Sequence, residues 1–278
     1  MKKIILCALV LCQLSFNNRQ LHAQNTLPTI ELEYKDSIKS SILKEQRKFS
    51  VKLPNGFDKS QKYPVIYVLD GEMYFPIVTA VQNFLDRNKR FASNKSIIVA
   101  IENTDRTRDL TPSAAVSSKG HGTMENSGKA EQFYQFITSE LIPEISHKYA
   151  VSDRKLLIGH SFGGLTATYF FLEHPNSFSD YLIMEPSMWW DNGKLLNAAT
   201  KKLQANHYEK NTRVFFAFAS KEDSTRNSIE KLVGQLQPEI ALKYAYYPNE
   251  NHGSVYLPAL YDGLRFLFDI KVERKPRM

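Results

Sequence analysis

The chain has 278 residues, 42% of them hydrophobic and 23% charged, with only 12 glycines and 12 prolines. That composition suits one large globular domain and excludes a fibrous or low-complexity chain. The formal charge of +7 is too diffuse for a nucleic-acid footprint, which needs clustered Lys/Arg with stacking aromatics.

In chain order, Lys2 and Lys3 precede an apolar run from Ile4 to Cys12, and a polar stretch leads to Leu21-His22-Ala23. A basic start, a short apolar stretch and a small residue describe a cleavable secretory signal, cut after Ala23. The run falls well short of the roughly 20 apolar residues that span a bilayer. The expected organisation is therefore a signal peptide over 1–23 and a single domain over 24–278, secreted or periplasmic. Both cysteines, Cys7 and Cys12, leave with the signal, which excludes disulfides and thiolate metal sites from the mature chain. Lys2, Lys3 and Arg19 leave too, and no acid does, which lowers the formal charge from +7 to +4.

Lys48 to Leu53 reads as a strand ending at Pro54-Asn55-Gly56. Val65 to Leu69 is a continuous apolar run, as expected of a strand buried on both faces, and it stops at Asp70-Gly71. Pro76 to Arg87 is predicted helical, and Ile97 to Ile101 is a second buried strand. Residues 104–128 lack periodicity, and a loop of that length is usually functional. Phe133, Phe136, Ile137, Leu141, Ile142 and Ile145 keep the spacing of one helical face. Leu156 to Ile158 is a short strand and Phe162 to Glu173 the helix after it. Tyr181 to Met184, Val214 to Ala219 and Lys243 to Tyr247 supply further strands before a last helix near Val255 to Phe268. Strands alternating with helices imply an α/β domain with a mostly parallel central sheet and helices on both faces, its ligands at the carboxyl ends of the strands.

Gly159-His160-Ser161-Phe162-Gly163 matches G-x-S-x-G between a predicted strand and a predicted helix. In that setting the serine sits on a tight turn with its hydroxyl exposed above the sheet, whereas a turn serine that merely caps a helix needs no such setting. Serine needs a base, which near neutral pH means histidine. His22 leaves with the signal, His121 and His147 precede the serine, and His174 and His207 flank predicted helices. His160 adjoins the serine but points elsewhere on such a turn. His252, on a polar loop between the last strand and the last helix, remains as the base. The carboxylate that orients it is expected after the strand Val214 to Ala219, where Glu222 is favoured over Asp223. Two backbone N–H groups complete the set as an oxyanion hole: Phe162 after the nucleophile, and Glu72 in the turn after the early strand. The set needs no metal or cofactor.

These residues, with Tyr63 to Gly71, Asn103 to Pro112, Ile158 to Gly164 and Asn251-His252-Gly253, resemble the putative-esterase family of α/β hydrolases over about Phe49 to Phe268. That family includes esterase D, feruloyl esterases, mycolyltransferases and trilactone siderophore esterases. The resemblance implies the α/β-hydrolase fold and a serine carboxylic-ester hydrolase acting on a small-molecule ester. The Arg-rich loop makes the siderophore-esterase branch the nearest likeness. Glu185-Pro186-Ser187-Met188-Trp189-Trp190 resembles a strand-end motif usually written with Ser first, so Glu185 is a departure. Within the branch the acid's position varies, and some members resemble a Ser-His dyad. Arg106 and Arg108 either meet an anionic or catecholate group or pair with Asp105 or Asp109; Trp189 either walls an aromatic pocket or packs on the next helix. Two rivals remain: an acyltransferase with a sugar or alcohol acceptor, and a non-catalytic binding module on a hydrolase scaffold. Nothing in the sequence fixes the oligomeric state.

Overall fold

The computed structural model describes residues 33–87, 95–115, 124, 126–209, 211–219, 226–227, 230, 234 and 240–270. Glu222, Asp223, the 1–23 segment and most of the 104–128 loop's second half lie outside them. Among the described residues, eight strands form one sheet: β1 (Glu33–Lys39), β2 (Gln46–Lys52), β3 (Tyr63–Val68), β4 (Ile97–Ile101), β5 (Val151–His160), β6 (Asp180–Met184), β7 (Arg213–Phe218) and β8 (Ala241–Tyr246). Their order is β1-β2-β4-β3-β5-β6-β7-β8, with β1 and β2 antiparallel and β3 to β8 parallel.

Period-two alternation splits the core. Val65, Tyr67, Leu69 and Leu157 face one side, where they meet α3 (Ala130–Phe136), a π-helical turn (Ile137–Leu141), α4 (Ile142–Lys148), α5 (Phe162–Glu173) and α6 (Trp190–Ala205). Ile66, Val68, Leu156 and Ile158 face the other side, against α1 (Gly71–Arg87) and the last helix, α7 (Tyr256–Leu267). Helices thus cover both faces of a mainly parallel sheet, which is the expected α/β-hydrolase layering.

The chain runs from β3 outward to β4, then returns to β5 on the other side of β3. Strand order therefore reverses between β3 and β5, opening a crevice above their carboxyl ends where such sheets bind ligands. Two elements differ from the sequence reading. Helix α1 begins at Gly71, five residues before Pro76, because the tight turn at Asp70 leads directly into it; Pro76 is carried inside the helix. Within the loop after β4, Arg106–Asp109 forms a short helix, α2, capped by the Asp105 carboxylate, which accepts from the Arg108 N–H.

Candidate active site

Three neighbouring parallel strands each end on a non-glycine residue in the left-handed region: Asp70 after β3 (φ 54°), Ser161 after β5 (φ 59°) and Glu185 after β6 (φ 42°). Each such residue costs of order 1–3 kcal/mol, so three together along one rim require a strongly determining surround. At Ser161 the surround is explicit. A Cβ on Gly159 would lie 2.1 Å from the Gly163 carbonyl oxygen, and one on Gly164 would lie 2.8 Å from the Met184 carbonyl oxygen. Only glycine lets the strand, the turn and α5 approach this closely. The Ser161 N–H donates to the Met184 carbonyl and its own carbonyl accepts from Ser187 N–H, both at 3.1 Å. Helix α5 is apolar all round and almost wholly buried, so it is a rigid base for the serine.

The turn after β3 stands against the start of α5. A Cβ on Gly163 would sit 3.2 Å from Asp70 Oδ2 and 3.4 Å from Leu69 Cβ. Glu72 is the second residue of α1 and Phe162 opens α5, so their N–H groups belong to first turns, whose donors have no acceptor within the helix. The β3 turn is clamped from the loop after β4. Asn103 Nδ2 donates to Asp70 Oδ1 at 2.7 Å and to Glu72 Oε1 at 2.8 Å, and Asn103 N–H donates to Glu72 Oε2 at 3.1 Å. Arg106 grips the buried Asp70 carboxylate with Nε at 2.6 Å and Nη2 at 3.0 Å, while its guanidinium lies 5.1 Å from the Phe162 ring centroid. Burial opposes its charge, but the Asp70 hydrogen bonds, the Asp70 charge and the neighbouring Tyr74 and Glu72 together outweigh it and hold the guanidinium above its ordinary range.

Arg106 therefore pairs with neither Asp105 nor Asp109. Arg108 takes the pairing alternative: its Nε donates to Asp109 at 2.6 Å and its Nη1 to Glu45 at 3.0 Å. Asp109 in turn binds the fully buried Arg47 at 2.6 Å. Trp190 is buried and donates to the Ser113 carbonyl at 2.9 Å, whereas Trp189 is 46% exposed with its ring 6.0 Å from that of Phe162.

His252 lies on this rim. Its ring is 4.7 Å from that of His160, the residue before Ser161, and its carbonyl accepts from His160 Nε2 at 2.7 Å. A carbonyl only accepts, so Nε2 of His160 carries the hydrogen and Nδ1 accepts from the Tyr74 hydroxyl at 2.8 Å. Burial, then the nearby His252, pushes the His160 imidazole down to about 4. Tyr74, stacked on Tyr256 at 3.8 Å, is pushed up to about 12 by burial and by the Asp70 charge, and so remains a donor.

Two residues at the site were not given roles by the sequence. Glu185 is 5% exposed; its Oε2 lies 3.3 Å from His252 Nδ1, and its Oε1 accepts from Ala219 N–H. Ser187, also buried, has its hydroxyl 3.3 Å from that of Ser161. The only sequence signal was the departure at Glu185 in an otherwise familiar strand-end motif. Among the described residues, no group of three or more His, Cys, Asp or Glu is placed to hold a metal.

A family model described as Putative esterase matches residues 40–258. The ferri-bacillibactin esterase BesA of Bacillus subtilis is 30% identical over 233 residues, covering 73% of this chain and 78% of that protein. A siderophore enterobactin esterase of Emericella nidulans is 26% identical, covering 74% of this chain and 82% of that one. Among solved structures, an IroE-like serine hydrolase from Shewanella oneidensis superposes with a TM-score of 0.78 at 31% identity, covering 86% of this chain and 80% of that one. The chain thus belongs to the Putative esterase family and is a carboxylic-ester hydrolase of the α/β-hydrolase fold.

Proposed function

We propose that this esterase works through an acyl-enzyme on Ser161, with His252 as its base, and that its substrates are siderophore trilactones. The observation that carries the mechanism is the strained elbow at Ser161, set at the reversal of strand order with the His252 imidazole on the same rim. In this reading Ser161 Oγ bonds to the ester carbonyl carbon as His252 Nε2 takes the hydroxyl proton. The carbonyl electron pair moves onto oxygen, where the N–H groups of Glu72 and Phe162 stabilise it, aided by the positive ends of α1 and α5. The pair returns as the alcohol leaves with the histidine's proton, and water repeats the sequence to release the acid.

The substrate class is supported by the relatives named as ferri-bacillibactin and enterobactin esterases, and by the exposed Trp189 and Met73 beside the two turns. Residues 1–23 are read as an export signal, which suits a function in the periplasm or outside the cell.

Ser161→Ala is expected to lower hydrolysis of p-nitrophenyl acetate by about 10⁴-fold or more and to abolish fluorophosphonate labelling, with the fold retained. A variant hydrolysing at the wild-type rate would refute the mechanism. The substrate is tested by comparing kcat/KM on ferric catechol trilactones, feruloyl esters and acetylated sugars; a preference for either of the latter would refute the trilactone reading.

A further inference from the structure

The orienting acid of such a triad was expected after β7, yet β7 ends here in a different service. The N–H of Ala219, the residue after β7, donates to Glu185 Oε1, so the chain leaving β7 holds a carboxylate carried by the residue just after β6. The other oxygen, Oε2, faces His252 Nδ1 at 3.3 Å. That is longer than the roughly 2.9 Å most common for N–H···O bonds, as catalytic hydrogen bonds often are before substrate binds. The left-handed turn at Glu185 raises its side chain over the rim, in register with the turns at Asp70 and Ser161 on the neighbouring strands. The carboxylate is 5% exposed and the imidazole it faces 53%, so solvent screens the attraction in part and the oriented Oε2 to Nδ1 contact does the positioning.

We propose that Glu185, at the end of β6, is the positioning carboxylate of the active site: it holds His252 as the Nδ1–H tautomer, leaving Nε2 to accept the Ser161 proton, and stabilises the imidazolium that follows. The proposal rests on the assignment of Ser161 and His252 above. It moves the acid one strand inward, next to the nucleophile's own strand, and gives a reason for glutamate at a position the related motif usually fills with serine. The proton travels between Ser161, His252 and the leaving alcohol, and is not passed on to Glu185.

Among the described residues, the groups facing His252 from the packed elements are Glu185 from β6 and His160 from β5, with Tyr74 of α1 and Tyr256 of α7 behind His160. His160 charges only near pH 4 and the tyrosines remain protonated, so Glu185 is the group whose removal is expected to move the acid limb of the pH profile.

The test is steady-state kinetics on Glu185→Gln, which keeps an oxygen for Ala219 N–H while removing the charge, and on Glu185→Ser, which installs the usual motif residue should the glutamine variant fold poorly. Expected is a loss of about 10²–10⁴-fold in kcat with KM changed by less than about threefold, and an acid limb of kcat/KM moved to lower pH. Either folded variant keeping more than about a third of kcat with an unmoved limb would overturn the proposal. So would a loss of that size in Glu222→Gln with Glu185→Gln behaving as wild type. Ser161→Ala, assayed alongside, separates the two failures. If it is inactive while Glu185→Gln is active, only the acid assignment falls; if it is active, the nucleophile assignment falls as well.

Discussion

His160 uses both ring nitrogens inside the protein, one on the His252 carbonyl and one on the Tyr74 hydroxyl. Protonation would force Nδ1 to become a second donor facing a hydroxyl that is itself donating, in a site 5% exposed. Its imidazole accordingly titrates near 4 when folded, against 6.5 for the free side chain. Above pH 6.5 neither state binds the proton; between 6.5 and 4 only the unfolded chain does, so stability is lost as pH falls through that window. The loss from this one residue is about 3 kcal/mol by pH 4. Urea unfolding at pH 7 and pH 4.5 should reveal it as the part of the pH slope that disappears in His160→Gln, since the carboxylates are common to both proteins. Equal slopes would contradict the buried neutral imidazole. The identity of position 160 is plain in the sequence, but its work is not, because both partners lie far along the chain, at 74 and 252.

Among the elements, the loop after β4 is where sequence and structure diverge most usefully. Its arginines invited a substrate-binding reading, yet Arg106 is engaged with Asp70 at the turn after β3, and Asn103 ties the same turn through Asp70 and Glu72. On the proposed mechanism, which draws an oxyanion donor from that turn, a clamp there acts on the transition state rather than on substrate affinity. Arg106→Lys, which gives up the two-pronged grip, should lower kcat by about tenfold to a hundredfold with little change in KM. A rise in KM alone would instead mark Arg106 as a substrate contact. Central strands were legible because burial on both faces leaves unbroken apolar runs: β4, Ile97–Ile101, was read with its observed bounds. Edge strands lack that signature. β1, Glu33–Lys39, is polar and half exposed, and its pairing with β2 is decided by a partner strand that local pattern does not specify. Local pattern starts α1 too late for a related reason: proline favours a helix's first turn, but the reversal at Asp70 has already begun the helix.

At the scale of the whole molecule, the buried pair of Arg47 and Asp109 ties the loop carrying Asn103 and Arg106 to β2, and two apolar layers sandwich the sheet beneath the rim. Fold class and the sharp turn at Ser161 were readable because each follows from local pattern, alternating elements in one case and G-x-S-x-G between strand and helix in the other. The carboxylate facing His252 was not readable, since it depends on where β6 ends relative to a loop 67 residues away. The proposed export signal makes its own prediction: protein recovered outside the cytoplasm should begin at Gln24, as read by N-terminal sequencing, and its absence there or an intact Met1 on it would refute a cleaved signal.

The bond from His160 reaches the backbone of His252 and not its ring, and that has a consequence for turnover. Where the residue stands and where its imidazole points are thereby set by separate contacts, the first a firm mooring and the second, among the described residues, one rather long hydrogen bond. A side chain 53% open to solvent on a moored backbone has room to swivel. On the proposed mechanism, the same nitrogen would collect a proton from the serine and deliver it to the departing oxygen by a small rotation, while the loop that carries it stays still.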